Sequence, residues 1–301
     1  MVNLTIGGQK VQRIISLELD NDLEKPVSLL QASMPPSVEF CIGEYVELSI
    51  DKKIVFKGIL EAFSHEINSA EEIKQISCRS LTHLLVDTCL EPKVWPNKKS
   101  IKSLLKEIVN PLGLELKTEN LNENITKPFV VSAGETVFDI IERLLQPLGH
   151  LICTEVGSDI KIFKGADKGK ILSPTKIISY NYNKDISSQF NKVIVLGQEK
   201  EKPIKQIAKE PKINPKKVLV LYEDGKSDEL KKIAQWQVRV REARSENLVI
   251  QTSEQNSFIP GNTLRYKERE WLIATVNLKS DTNGFIYTLG LKKKGAYETN
   301  H

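Results

Sequence analysis

Four histidines and four cysteines are the residues of this 301-residue chain best suited to chemistry. His83 lies five residues after Cys78 and six before Cys89, so a zinc ion held by these three is one reading. Zinc sites draw on closely spaced ligand pairs such as Cys-x-x-Cys, and none of Cys41, Cys78, Cys89 or Cys153 belongs to one. A nucleophilic Cys–His pair needs a third group to orient the imidazole, and nothing marks one beside His65, His83, His150 or His301. No Gly-x-Ser-x-Gly elbow or Gly-x-x-x-x-Gly-Lys phosphate loop occurs, and Gly7-Gly8 reads as a turn. Glu66, Glu71 and Glu72 could supply a glycosidase carboxylate pair, but the segment reads better as a solvated hairpin tip. Trp95, Trp236 and Trp271 could stack on bases or sugars; Trp236 and Trp271 fall on apolar periodicities and are assigned to the core. No catalytic, cofactor-binding or metal-ligating residue is therefore assigned, and the chain is expected not to be an enzyme.

Composition narrows the setting. An apolar fraction of 40% with 27% charged residues is ordinary globular material, and the length suits two or three domains. The net charge of +4 is too small to argue for nucleic acid. It is uneven: residues 201–301 carry 19 bases against 13 acids, whereas residues 1–200 carry 24 against 26. Lys292-Lys293-Lys294 and the Lys-rich stretch 199–217 lack the interleaved aromatics of a single-strand binder. The four cysteines suit buried thiols in a reducing compartment. With neither a signal-like N-terminus nor an apolar run of about 18 residues, the chain is expected to be soluble, made in the cytoplasm and not inserted in a membrane.

A duplication organises the middle of the chain. Ser100-Ile101 through Pro111-Leu112-Gly113 recurs 36 residues later as Thr136-Val137 through Pro147-Leu148-Gly149, and Pro92 and Val94 align with Pro128 and Val130. Ile101, Leu104, Leu105 and Ile108 share one helical face, as do Val137, Ile140, Ile141 and Leu144. Ser100 and Thr136 occupy N-cap positions, and Thr136 with Asp139 forms a capping-box variant. Each copy then turns, at Asn110–Gly113 and Gln146–Gly149, into a strand: Leu114–Lys117 and His150–Thr154. Asp159–Phe163 adds a hairpin partner after a turn at Gly157-Ser158. Neither copy carries a shared acid, base or thiol, so the repeat is read as scaffold.

The flanks read as β structure. Gln9–Leu19, Tyr45–Ile50, Ile54–Leu60 and Ile73–Cys78 are candidate strands of a first small barrel or sandwich. After Lys176 come a strand at Asn191–Gly197, a mobile loop or insertion at 199–217, and a helix from Ser227 to about Ser245 with an apolar stripe of Leu230, Ile233, Trp236, Val240 and Ala243. Strands follow at Leu248–Thr252, Trp271–Leu278 and Phe285–Leu291, the last two joined across Asn283-Gly284. The expected fold class is α+β: two small β-barrel domains, 1–88 and 173–301, flank a middle αβ domain, 89–172, that holds the duplicated helix-turn-strand unit. The second barrel carries an inserted loop and helix, about 199–247.

In this order the segments resemble the Mu-type contractile-tail phage baseplate hub proteins, also described as the tail protein P or late-control-D-like family. Cys78-Arg79-Ser80 through Leu84-Leu85-Val86-Asp87 is similar to the family's end of the first barrel. Gly134-Glu135-Thr136 resembles its helix start, and Asp185 through Gln198 the opening of its second barrel. Trp236 with Arg239, Arg241, Ala243, Arg244 and Ser245 resembles its Arg-rich helix, and Leu289-Gly290-Leu291 with Ala296-Tyr297 its closing strand and tail. The chain departs from the pattern at 199–217 and at Ser257–Thr263, where a tryptophan would be usual.

The resemblance implies a structural baseplate hub of a contractile phage or prophage tail or tailocin, located in the virion and made in the host bacterial cytoplasm. Its partners would be two further copies in a homotrimer, a separate tail spike protein, the tail tube and other baseplate proteins. The ring would pass DNA through its lumen without sequence-specific binding, and the repeat domain would brace it. Two other functions stand beside this one: a cell-wall or glycan-binding module built on residues 89–172, and a tail-associated cell-wall hydrolase.

Overall fold

The computed structural model describes residues 2–293 except 68–71, 120, 146–147, 149–150, 155–158, 164–169, 172–175, 200–201, 211–215, 224–225, 255–257 and 283. The fold is mixed and mostly β. Its first strands are β1 (Val2–Ile6), β2 (Gln9–Lys10), β3 (Ser16–Asp22), β4 (Lys25–Met34), β5 (Tyr45–Ile50), β6 (Lys53–Ile67) and β7 (Glu72–Ser80). Alternation drives them: in β4 and β5 every second residue is buried, and Leu30, Met34 and Leu48 are sealed from solvent. The anticipated hairpin of β5 and β6 closes through Asp51 and Lys52, both at positive φ (47° and 67°). Gln9–Leu19 is not one strand. Val11 donates back to the Leu4 carbonyl and Ile15 to that of Ser33, carrying the chain from the β1 edge to the middle of the sheet, where β3 starts.

The middle section holds α1 (Leu84–Asp87), β8 (Lys93–Trp95), α2 (Ile101–Val109), β9 (Glu115–Thr118), β10 (Phe129–Val131), α3 (Val137–Leu145), β11 (Leu151–Thr154) and β12 (Asp159–Phe163). Both helices bury the anticipated stripe: Ile101, Leu104, Leu105 and Ile108 in α2, and Val137, Ile140, Ile141 and Leu144 in α3. Together with Trp95, Leu85, Ile160 and Ile162 they form a core of their own. The turn after α2 ends at Gly113 with φ 71°, whose N–H donates to Asn110. Its counterpart Gly149, the Gly157-Ser158 turn and His150 lie outside the described residues.

The last section holds β13 (Lys170–Ile171), β14 (Ile177–Lys184), β15 (Lys192–Glu199), β16 (Lys202–Lys209), β17 (Val218–Tyr222), α4 (Ser227–Ser245), β18 (Glu246–Thr252), β19 (Thr263–Tyr266), β20 (Arg269–Asp281) and β21 (Gly284–Lys293). Two expectations change here. The 199–217 stretch contains a regular strand: in β16 Ile204, Gln206 and Ala208 point inward while Lys205, Ile207 and Lys209 point out. Pro203 is tolerated because β16 is the edge of a sheet ordered β16-β15-β17. The strand at Asn191–Gly197 pairs inside this small sheet, where Val193 and Val195 pack on Leu230 and Ala234 of α4 in a separate core. β14, for which no strand was expected, pairs with β18.

The sequence reading placed the two β flanks in separate units. In the structure they join edge to edge. β3 pairs antiparallel with β20 from Leu17↔Ser280 to Asp22↔Thr275, giving one 13-stranded sheet. Residues from Leu4 to Cys78 and from Leu248 to Leu291 share one core. Trp271 is buried in that core, as assigned, whereas Trp236 is only half-buried.

Candidate functional site: repeat module, joint and seam

The repeat folds back on itself with local twofold character. Val94 and Val130, equivalent by the 36-residue offset, pair directly between β8 and β10. Trp95 packs against Phe129 with ring centroids 6.2 Å apart. β9 and β11 flank β12 on opposite sides. In the first copy Glu107 accepts from Trp95 Nε1 (3.1 Å) and ion-pairs with Lys93 and Lys99. In the second, Arg143 pairs with Glu135 (2.9 Å), donates to the Val130 carbonyl (2.7 Å) and stacks on Phe129 (4.1 Å). Positions 99 and 107 correspond to 135 and 143, so both copies keep the same ion pair with its signs exchanged. Glu107 is pulled down to about 2, by Lys93 foremost, then Lys99 and Trp95.

The capping signals divide between the copies. Thr136 and Asp139 exchange bonds: the Asp139 N–H donates to Thr136 Oγ1 (3.1 Å) and the Thr136 N–H to Asp139 Oδ2 (3.0 Å). Ser100 stands at the N-cap without a side-chain bond. The Glu123 carbonyl accepts from Ile101 there, because Ser100 bridges to Asn124.

Where the chain leaves β7 for this module, Arg79 clamps the joint. Its Nε donates to Glu61 (2.5 Å) and its NH2 to Asp87 (2.6 Å). Thr82 Oγ1 donates to the Pro26 carbonyl, and Ser80 Oγ accepts from the Ser28 N–H. Glu61, His83 and Asp87 are the one group of three candidate metal ligands found together among the described residues. The guanidinium of Arg79 already supplies the cation they would share, and its bonds to Asp87 hold that carboxyl below its usual range. His83 Nδ1 lies 2.9 Å from the Ser80 carbonyl and Nε2 4.0 Å from Glu61. The two cysteines considered with His83 go elsewhere. Cys78 is sealed in the core, where burial pushes its thiol up to about 12, and Cys89 is exposed beside Gly134. Sequence reasoning missed Arg79 as the clamp; its signal was the Arg-Ser … Leu-Leu-Asp segment itself.

The seam between β3 and β20 has its own chemistry. Asn277 Nδ2 donates to Glu18 (2.7 Å) and Asp20 (2.6 Å), and Lys279 pairs with Glu18 (3.0 Å). Burial alone would raise the Glu18 carboxyl, but Asn277 and Lys279 outweigh it and hold it low. A shallow trough of about 450 Å³ crosses the seam. The row Lys279–Glu18–Gln31–Ser77–Ala62 runs along it, one residue per strand. Glu18, Lys279 and Asp281 are the ionisable lining residues among those described. The trough is lined by polar and apolar side chains in about equal measure, Leu17, Phe63 and Ile76 beside Glu18 and Gln31.

No protein-family model matches the sequence, and no curated protein does. Known structures do. A 43 kDa tail protein of prophage MuSo2 from Shewanella oneidensis is 16% identical and superposes with a TM-score of 0.85 over 99% of both chains. The chain has the fold of a phage tail protein. A tail protein from Neisseria meningitidis MC58 is equally similar, with a TM-score of 0.85 at 20% identity over 98% of this chain and 97% of that one. The tail-protein fold extends to the Escherichia coli c3393 protein, a type VI secretion component with structural similarity to the T4 tail proteins gp27 and gp5. That likeness has a TM-score of 0.65 at 13% identity, over 99% of this chain and 79% of the other.

Proposed function

We propose that this chain is a non-enzymatic structural hub of a contractile-tail baseplate, built as a trimeric ring between tail tube and central spike. The observation that carries the reading is the end-to-end likeness to a prophage tail protein, which covers 99% of both chains. The order of the segments agrees with it, from the Arg79–Asp87 joint to the closing strand. Within their joined sheet, residues 1–88 and 173–301 would each present one barrel-like β unit to the ring. Three copies would then offer six similar β units to a sixfold tube, and residues 89–172 would brace the ring from outside. Spike, tube and neighbouring baseplate proteins would be the partners, DNA would pass through the lumen, and the assembled virion would be the protein's place. The seam supports this division of labour, because it fixes the two β flanks relative to each other.

The test is the mass of the purified chain by light scattering, together with negative-stain images. Three times the 34.0 kDa chain mass and a ring with sixfold appearance are expected. A monomer at every concentration, or release of cell-wall fragments by the purified chain, would sink the reading.

A further inference from the structure

The two β flanks repeat one strand plan. Along the large sheet the run β14-β18-β21-β20 is followed by β3-β4-β7-β6, with β19 paired to β20 as β5 is to β6. Each flank thus has a first antiparallel pair, β3-β4 or β14-β18, set against the last strand of a meander, β5-β6-β7 or β19-β20-β21. The plan repeats residue by residue. Leu17, Ala32, Ile76 and Phe63 form one cross-strand row, and Tyr180, Ile250, Leu289 and Val276 form its counterpart. The middle strand of each meander shifts register at the same place, between Leu60 and Ala62 in β6 and between Ile273 and Thr275 in β20.

The seam uses one half of this plan and leaves the other half open. β19 stops pairing with β20 at Leu272, and past the shift β3 takes over the same edge from Thr275 to Ser280. The counterpart of that stretch is Ala62–Ile67 of β6, past the end of β5 at Ile59, and the counterpart of β3 is β14. Neither has a strand on the corresponding edge among the described residues. In the seam Leu17, Leu19, Val276 and Leu278 are buried, whereas at the open counterparts Phe63 is 47%, Tyr180 54%, Tyr182 45% and Ile67 72% exposed. β14 carries one charged residue and no proline over eight residues, so nothing on it blocks a further strand. The opposite end of the sheet is blunted by the two-residue β2.

We propose that Ala62–Ile67 of one copy pairs antiparallel with β14 of the next, repeating between copies the β20–β3 seam within each. This rests on the ring reading above and names the two edges that close the ring, unlike edges being what a head-to-tail contact requires. The seam sets the register: Ser280↔Leu17, Leu278↔Leu19 and Asn277↔Asp20 become Ile67↔Tyr180, His65↔Tyr182 and Ser64↔Asn183. Phe63, His65 and Ile67 then lie on the core side with the two tyrosines, where Tyr182 already meets Trp271 edge-on at 6.2 Å. The ion pair of His65 with Glu72 (2.8 Å) stays within the arm. Ser64 and Glu66 lie on the other side, facing Asn181 and Asn183 where the seam has Glu18 and Asp20, so no like charges meet.

Cross-linking of the full-length chain tests it. Ser64→Cys with Asn183→Cys puts thiols on directly opposed residues, with Cβ atoms about 4.5–5.5 Å apart, within reach of a disulfide. Oxidation with copper phenanthroline should give a covalent species of three chains on a non-reducing gel, and neither single variant, which keeps the native cysteines, should give it. Moving one thiol four residues, as Ser64→Cys with Ser179→Cys, should abolish the link. Ile67→Lys and, separately, Tyr180→Lys should each weaken self-association by about tenfold or more, by placing a charge on the buried side of the ladder. Thermal melts separate lost assembly from lost folding. If the first cysteine pair melts early, Glu66→Cys with Asn181→Cys replaces it with the same expected product. A chain that assembles without the link, links equally at residue 179, or associates unchanged with either lysine overturns the pairing and leaves the ring standing. A wild-type chain that stays monomeric at every concentration overturns the ring reading, and this inference with it.

Discussion

Glu107 gathers three donors, and its depressed carboxyl makes the repeat module sensitive to acid. A carboxyl held low in the fold contributes stability that is fully present above its ordinary value of 4.5 and fades as pH falls through about 2. The side chain is more than a third exposed, so solvent screens the ion pairs and the acid-linked part should stay below about 1 kcal/mol. Glu107→Ala should cost about 1–2 kcal/mol near neutral pH, because it strips the acceptor from the buried Trp95 indole N–H. The gap to wild type should narrow in thermal melts between pH 4.5 and 2; a gap constant with pH would show that the carboxylate charge plays no part. Gly113→Val, at φ 71° with open space around its missing Cβ, should cost about 1–2 kcal/mol from backbone strain alone, whereas Gly113→Asn should be milder. Equal melting temperatures for Val and Gly would refute this. The exchanged ion pair was hidden at this scale. Glu107 and Arg143 read as plain divergence until Lys99 and Glu135, equally inverted, are read with them.

At the scale of elements, α2 and α3 were legible because each keeps a clear apolar period, and in α3 the Thr136–Asp139 cap agrees with it. β16 was not, because three prolines and many lysines across 199–217 outweighed the alternation of Ile204, Gln206 and Ala208. Composition describes what water touches; alternation describes what a neighbour touches, and an edge strand backed by a helix shows both. β14 was missed because it is exposed along almost its whole length and carries no buried alternation. The small sheet makes its own demand on sequence at Gly197. A Cβ there would lie 2.6 Å from the Glu223 carbonyl and 2.6 Å from Leu230 Cδ1, so β15 and α4 approach more closely than alanine permits. Gly197→Ala should cost about 1–3 kcal/mol, because the Glu223 backbone would have to move away from β15 and the Leu230 side chain to repack against α4 and the sheet. Amide exchange should then rise in α4 and β15–β17 and stay unchanged in α2 and α3, which have a separate core. Uniform change across the chain would contradict that separation.

The whole molecule turns on a pairing that no local pattern contains. β3 and β20 lie some 250 residues apart, and each alone reads as an ordinary half-buried strand; only the fold shows that they share a ladder. This is why the flanks looked like independent units in sequence, and it has a consequence for unfolding. With Leu17 and Leu19 in the same core as Val276 and Leu278, the two chain ends should open together. Asn277 is the residue to probe, because its amide donates to both Glu18 and Asp20 across the seam. Asn277→Leu should leave two neighbouring carboxylates without that donor and cost about 1–3 kcal/mol at neutral pH. The sign with pH follows from Glu18, whose carboxyl is held low in the fold: the stabilisation is fully present above the ordinary value of 4.5 and is lost as pH falls below it, through the lowered value of the fold. The mutational cost should therefore be larger at pH 7 than at pH 3. Urea unfolding at both pH values, followed by hydrogen exchange at Leu17, Leu19, Val276 and Leu278, gives the answer. One shared opening free energy for these four amides, lowered equally by Asn277→Leu, is expected; separate opening of the N-terminal and C-terminal strands would show that the seam is a contact between two domains and not a single sheet.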